Sequence, residues 1–332
     1  MIESIHFTNF KALRDSKVEL GRFTLLVGPN GSGKSTAMQA LVAAREPDNF
    51  PHERIVTAGV TAPQRTSVRI AWGPPDHDRE SETSWGSEGA QVKVHRGSEP
   101  WKNGKSFLQD KARRLTIYSL QAQRIAAAVP LKKDMQLAED GYGLPGVLDR
   151  LRDQHPERFE ALNEELARWI PEFDYVLFEV PATGQRAIAL RTRVGGHSIA
   201  AADLSQGTLF ALAILTLAYL PDPAPMICLE EPDHGMHPRL LRDVRDAIYR
   251  LAYPENFGEK RDPVQVIATT HSPYMLDLFR DHPEEIVIAQ KTEDNVVFER
   301  LSDRADLDEI LHDTHLGDAW YSGILGGVPA ER

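Results

Sequence analysis

The sequence predicts an α/β protein in which a mixed, largely parallel sheet is flanked by helices. Three observations carry that prediction. The last third of the chain alternates helix-period segments with short apolar strands, the strand FTLLV runs through a glycine-rich turn into a helix, and the strand MICL ends in two adjacent acids. Alternation of this kind fits a sheet with helices on both faces.

From the N-terminus, IESIHF and SKVEL fit a strand pair, FTLLV (Phe23 to Val27) a buried strand, and Ser35 to Ala44 a helix. From Glu46 to about Trp101 the sequence is rich in Pro, Gly, Ser and charge, and the alternating stretches SVRIAW and QVKVH predict an inserted antiparallel β subdomain over residues 46–130. LTIYSL reads as a strand. Residues 131–199 predict a helical lobe, broken at Gly141 to Pro145 and at Pro156, with the connecting strands YVLFEV and AIALRTR. Then follow helix Gln206 to Leu220, strand Met226 to Glu230, helix Pro238 to Ala252, strand Val264 to Thr269, helix Ser272 to Phe279 and strand Glu285 to Ala289. Residues 1–45 and 200–300 thus form the expected core, and 301–332 a tail suited to docking a partner.

A chain of 332 residues with 41% hydrophobic content can bury a sizeable core. Its longest apolar run, Leu209 to Leu220, has twelve residues, against the roughly 20 of a membrane-spanning helix, and MIESIHFTNF lacks a signal-like start. No membrane partner is expected, and the expected location is the cytoplasm. The single cysteine, Cys228, excludes an internal disulfide and a Cys-based zinc site. A net charge of −11 argues against a surface devoted to nucleic acid. Between Lys93 and Lys133, however, ten Lys and Arg stand against two acids, a strip that fits either a phosphate backbone or a solvated face.

GPNGSGKST, Gly28 to Thr36, matches G-x-x-x-x-G-K-[ST] between a strand and a helix. Asn30, Gly31, Ser32, Gly33, Lys34, Ser35 and Thr36 are therefore candidates for holding a nucleoside triphosphate. Small residues let backbone N–H groups converge on phosphate oxygens, Lys34 reaches the terminal phosphates and Ser35 ligates magnesium. MICLEEPDHGMHP delivers Glu230 and Glu231 at the carboxyl end of a strand, where open α/β folds bind ligands. Glu230 suits the magnesium shell, and Glu231 suits the orientation or deprotonation of the water that attacks the γ-phosphate. VQVIATTH places His271 at a third strand end, where its imidazole can contact the γ-phosphate or hold that water; a lone His is otherwise structural. LSQGT, Leu204 to Thr208, reads on its own as a helix start capped by Ser205.

The order GPNGSGKST, LSQGT, ICLEEP, TTHSP resembles that of the ATP-binding-cassette class of P-loop ATPases. More narrowly it is similar to the SMC/RecF-like and OLD-like branch, often called AAA family ATPases. FTNFKAL is similar to the opening of that branch, with Asn9, Phe10 and Lys11 matching. The resemblance implies an ABC-type ATPase head that binds ATP and magnesium, with Lys11 near the nucleotide. It also implies that Ser205 and the backbone of Gly207 close over the triphosphate held by a second copy, in a two-fold homodimer with two ATP molecules at its seam. Two positions depart from the branch: its L-S-G-G-Q carries Gln206 and Thr208 here, and the magnesium-side acid is Glu230 where Asp is usual. A glutamine linking magnesium to the helical lobe is also implied; Gln64, Gln121 and Gln123 are the candidates, with Gln121 or Gln123 favoured.

Coiled-coil arms, a zinc hook and a fused nuclease domain are expected to be missing. The leading expectation is a slow, dimer-dependent ATPase, an ATP-gated switch in a bacterial anti-phage or genome-defence system that works with a separate effector such as a nuclease or toxin. The alternatives are a RecF-like DNA-repair clamp, for which the basic strip would bind nucleic acid, and an ATP-binding module with little hydrolysis.

Overall fold

The structure, a computed structural model, describes residues 1–59, 65–97, 99–100, 107, 114–292 and 295–326. In chain order its strands are β1 (Ile2–Phe10), β2 (Leu13–Glu19), β3 (Phe23–Val27), β4 (Thr66–Trp72), β5 (Arg79–Gly86), β6 (Gly89–Arg96), β7 (Glu99–Pro100), β8 (Leu115–Tyr118), β9 (Val129–Pro130), β10 (Phe173–Glu179), β11 (Gln185–Thr192), β12 (Ser198–Ala200), β13 (Met226–Glu230), β14 (Gln265–Thr270), β15 (Ile286–Lys291) and β16 (Val296–Arg300). Its helices are α1 (Lys34–Arg45), α2 (His52–Ile55), α3 (Ala122–Ile125), α4 (Leu144–Gln154), α5 (Pro156–Trp169), α6 (Gln206–Tyr219), α7 (Leu241–Ala252), α8 (Pro273–Asp277), α9 (Leu307–Asp313) and α10 (Leu316–Tyr321). They fall into two compact units. The first takes the described residues from Met1 to Ile117, Pro225–Cys228 and those from Gln265 onward; the second takes Tyr118–Ala224 and Leu229–Val264.

Two six-stranded sheets make up the strand content of the first unit. One is antiparallel, in the order β2-β1-β4-β5-β6-β7. The other runs β16-β15-β3-β14-β13-β8, with β13 contributing Met226–Cys228 to this unit. Here β3 is parallel to both β14 and β15, and β16 closes the edge antiparallel to β15. Strand β4 pairs with β1 from Thr8↔Ser67 to Ile2↔Trp72. The stretch after residue 45, expected as a subdomain of its own, therefore continues the sheet that the N-terminal hairpin begins. Local alternation identifies such strands, but their partner is chosen by which face they bury over a long sequence separation.

Helix α1 is apolar on more than one side, burying Ala37, Met38, Ala40, Leu41, Ala43 and Ala44. A single core joins these to Ile5, Phe7 and Val68 of the antiparallel sheet and to Leu26, Ile267 and Val287 of the other. At one corner the buried side chain of Gln265, first residue of β14, ties the two sheets together. Its Oε1 accepts from Ile2 N at 2.7 Å, while its Nε2 donates to Ile2 O at 2.7 Å and to Gly21 O at 2.9 Å.

In the second unit, strands β10, β11 and β12 form an antiparallel sheet, and β9 also pairs with β11. Helix α7 has the expected apolar stripe, burying Leu241, Val244, Ile248 and Leu251 at helical spacing. Helix α6 is different: every residue from Leu209 to Tyr219 is buried. That all-round burial accounts for the long apolar run, and among the described residues no helix is long and apolar enough to cross a membrane. Within the tail, α9 and α10 are regular helices. The helix after β14 stops at Asp277, short of the expected Phe279.

Replacing Gln265 by Leu keeps the volume but strands two buried backbone groups of Ile2 and the half-buried carbonyl of Gly21, so it is expected to cost about 2–3 kcal/mol. Urea denaturation should show a lower midpoint at unchanged slope; an unaltered midpoint would show that the amide is dispensable to the corner.

Candidate nucleotide-binding site

Each residue of β3 is buried, and the strand ends at a fixed height: Val27 lies opposite Thr270 of β14 and Ile288 of β15. The chain then turns through Gly28–Gly33. A Cβ on Gly28 would come within 2.2 Å of Ser32 Oγ and 2.7 Å of Ala289 O, so only glycine fits there. Gly31 and Gly33 are left-handed, with φ of 80° and 96°, and Gly33 is the N-cap of α1. Left-handed glycines alternating with ordinary residues aim successive N–H groups into one concavity, at the positive end of a helix whose first N–H groups have no partner within the helix.

The side chains suit the same ligand. Lys34 is 5% exposed, and its Nζ lies back on its own loop, donating to Gly28 O at 2.6 Å and Pro29 O at 3.1 Å. Ser32 Oγ is buried without a hydrogen-bond partner, a polar atom that an incoming oxyanion would satisfy. Asn30, Gly31 and Ser35 are exposed at the loop and helix start, and Thr36 is half-buried. A glycine-rich turn at a helix N-terminus, a buried hydroxyl without a partner and one buried cation fit a triphosphate.

Lys11 belongs to this unit as well. It occupies the two-residue turn between β1 and β2, with φ of 52°, and donates from Nζ to Gln39 Oε1 at 2.6 Å. Gln39 lies one helical turn beyond Ser35, and both are exposed, so Lys11 sits on the Ser35 face of α1. No motif in the sequence marks Gln39. Asn9 is left-handed too, with φ of 53°, and brackets the fully buried Phe10 between two unusual backbone positions. His271 follows the Val27↔Thr270 pair by one residue, as Gly28 does, and its side chain is exposed. Its backbone oxygen accepts from Trp320 Nε1 at 3.3 Å, a contact across 49 residues that no local pattern announces.

Within the second unit, Ser205 is an N-cap, as its residue type suggests. Its Oγ accepts from Thr208 N at 3.1 Å and lies 2.8 Å from Thr208 Oγ1. Gly207 is buried, and a Cβ there would approach Gly235 O to 2.7 Å and Met236 Cα to 3.4 Å. The helix start of LSQGT thus rests on the turn that follows the acid pair of its own chain. Glu230 closes β13; Glu231 has φ of 44° and opens a turn in which His234 N donates to Glu231 O at 2.9 Å. Gln121 is the exposed N-cap of α3 and Gln123 is exposed within that helix, whereas Gln64 lies outside the described residues. Of the basic strip, Lys102, Lys105, Lys111 and Arg113 also lie outside them, and Arg96 pairs with Asp78 at 2.7 Å.

Comparison with known proteins gives this geometry a family. Residues 91–277 match the model described as "AAA domain, putative AbiEii toxin, Type IV TA system", and residues 1–70 match an "AAA ATPase domain". Among curated proteins, the OLD nuclease of Thermus scotoductus is 22% identical over 96% of this chain and 68% of its own length. Among solved structures, an SMC head bound to the C-winged helix domain of ScpA covers 93% of this chain and 99% of its own, at 16% identity and a TM-score of 0.63. The SMC head domain from Thermotoga maritima covers 90% and 98%, at 16% identity and a TM-score of 0.54. Those identities speak for the fold, an SMC-like P-loop ATPase head of α/β class. The first family model spans more than half of the chain, and the protein belongs to that AAA-domain ATPase family.

Proposed function

We propose that the chain binds and slowly hydrolyses ATP as a switch that dimerises around the nucleotide in the cytoplasm. Its role in this reading is the ATPase subunit of a bacterial anti-phage or genome-defence system acting through a separate effector such as a nuclease or toxin. The observation that carries the reading is the loop Gly28–Gly33, with its buried Ser32 Oγ lacking a partner and Lys34 folded onto the loop's own carbonyls. The defence setting is supported by what the similar proteins are called, a toxin of a Type IV TA system and an OLD nuclease.

In this reading the backbone of Asn30 to Thr36 cradles the phosphates, Lys34 leaves its loop carbonyls for the terminal phosphates, and Lys11 adds charge from the Ser35 face of α1. Ser35, Glu230 and Gln121 would hold magnesium, which neutralises charge developing on the phosphates. Glu231 takes the proton of the water that attacks the γ-phosphorus, while the bond to the β-phosphate oxygen breaks and ADP leaves with its electron pair. His271 contacts the γ-phosphate. Ser205 and the N–H groups at the start of α6 reach the triphosphate of a second copy, which makes hydrolysis depend on the dimer.

Light scattering after size exclusion tests the assembly. Glu231→Gln should double its mass only with ATP and magnesium, and adding Ser205→Arg should abolish the change. A mass indifferent to ATP would remove LSQGT from the site. Hydrolysis by Glu231→Gln should fall at least about 100-fold below wild type; equal rates would leave the chain an ATP-binding module. Because residue 231 is left-handed, Glu231→Gly should be more stable than Glu231→Ala by about 1 kcal/mol in urea denaturation, while neither hydrolyses ATP.

A further inference from the structure

The C-terminal segment is bonded to the end of β14 and packs closely beside the end of β15, the two strands that flank the phosphate loop. On the β14 side, Trp320, only 4% exposed, donates its indole N–H to the backbone oxygen of His271. Helix α10 is seated on α8 just beyond: Gly317 N donates to Asp277 Oδ1 at 2.7 Å, and a Cβ on Gly317 would lie 2.7 Å from both Asp277 Oδ2 and Pro273 O. On the β15 side, a Cβ on Gly326 would meet Gln290 Nε2 at 2.6 Å, and Gln290 stands two residues past the Ile288↔Val27 pair. Residues 316–326 therefore run from one neighbour of β3 to the other at the height of the loop.

We propose that Trp320 is a positioning residue for His271. Three anchors act on the short stretch around the histidine. Ser272 N donates to Thr270 Oγ1 at 3.0 Å, Ser272 Oγ caps α8 by accepting from Met275 N at 3.3 Å, and Trp320 holds the carbonyl of residue 271 itself. The first two fix the turn by local bonds. The third ties the peptide plane of His271 to an element from another part of the chain. Releasing that carbonyl frees the backbone torsions of residue 271 to relax and with them the direction of the imidazole, while the loop that binds ATP stays intact.

The inference rests on His271 acting at the γ-phosphate, so the experiment separates the two. Steady-state ATP hydrolysis is measured for wild type, Trp320→Phe, His271→Ala and the double variant, with Tyr321→Ala as a control, since Tyr321 is 82% exposed on the same helix. Trp320→Phe deletes one hydrogen bond, and kcat should fall about 5- to 10-fold with KM for ATP unchanged. The double variant should be no slower than His271→Ala, because the two residues act as one unit. Labelled-histidine NMR should show the His271 resonance, assigned by its loss in His271→Ala, shifted in Trp320→Phe. If Trp320→Phe is too unstable to assay, a benzofuran analogue of the indole at position 320 deletes only the N–H. Wild-type kcat in Trp320→Phe, or additive losses in the double variant, would overturn the positioning role while leaving the site intact. A His271→Ala enzyme with wild-type kcat would instead overturn the assignment of His271 and the inference with it.

Discussion

The amide of Gln265 is the joint on which the phosphate loop depends. It bonds the N–H and C=O of Ile2, at the start of the antiparallel sheet, and the C=O of Gly21, two residues before β3 begins. One buried side chain thereby fixes where β14 starts relative to β3, giving the Val266↔Phe23 register that ends in Thr270↔Val27. Side chains alternate faces along a strand, so a slip of one residue would turn His271 away from the side it now occupies and bury the wrong set of residues. The geometry of the strand ends is therefore decided at the opposite end of the sheet, by an amide that has no contact with a ligand.

Backbone strain points to the same places as the motifs. Among the described residues, the non-glycine positions with positive φ are Asn9, Lys11 and Glu231. Two belong to FTNFKAL and the third is the proposed water-activating acid. Each such position costs of order 1 kcal/mol and persists only where its surroundings impose it. At Lys11 the surroundings are visible: its N–H is bonded to Ile55 O at 2.7 Å and its Nζ to Gln39. At Ser205, the cap and the proposed contact with a second copy are compatible. Its Oγ accepts from Thr208 N, and if Thr208 Oγ1 is the donor in the hydroxyl pair, the Ser205 proton is free to turn outward.

Much of this was legible in the sequence, because the signals were local. A strand that is apolar throughout, a glycine-rich turn and a helix specify the loop at Gly28–Gly33 without distant information, and the strand–helix alternation gave β13 to β15 within a residue or two. What the sequence hid was non-local. The pairing of β4 with β1, the seat of Gly207 on Gly235, and the bond from Trp320 to His271 join residues far apart in the chain, and nothing in their neighbourhoods marks the partner. The tail hid its structure for a different reason: α9 and α10 have seven and six residues, too short for a helical period to stand out. The same shortness leaves Gln121 and Gln123 undistinguished, since both are exposed on one turn of helix.

The burial of α6 constrains how LSQGT can work. Beyond its first turn the helix has no exposed face, with Leu209 to Tyr219 buried, while Ser205 and Gln206 are exposed at its start. Sliding or rotating such a helix by even part of a turn would put apolar surface into water and drive Gly207 into the Gly235 carbonyl, in an interior as dense as a crystal. The N-terminal turn is thus offered to a ligand in a fixed pose, with its N–H groups and dipole already aligned. In the proposed dimer, closure over a triphosphate would come from the approach of a second copy as a body and not from remodelling of the segment. In that dimer the bulk of Gln206 would limit how near the approach can come, because its side chain already lies beside Gly235 and has little room to retreat.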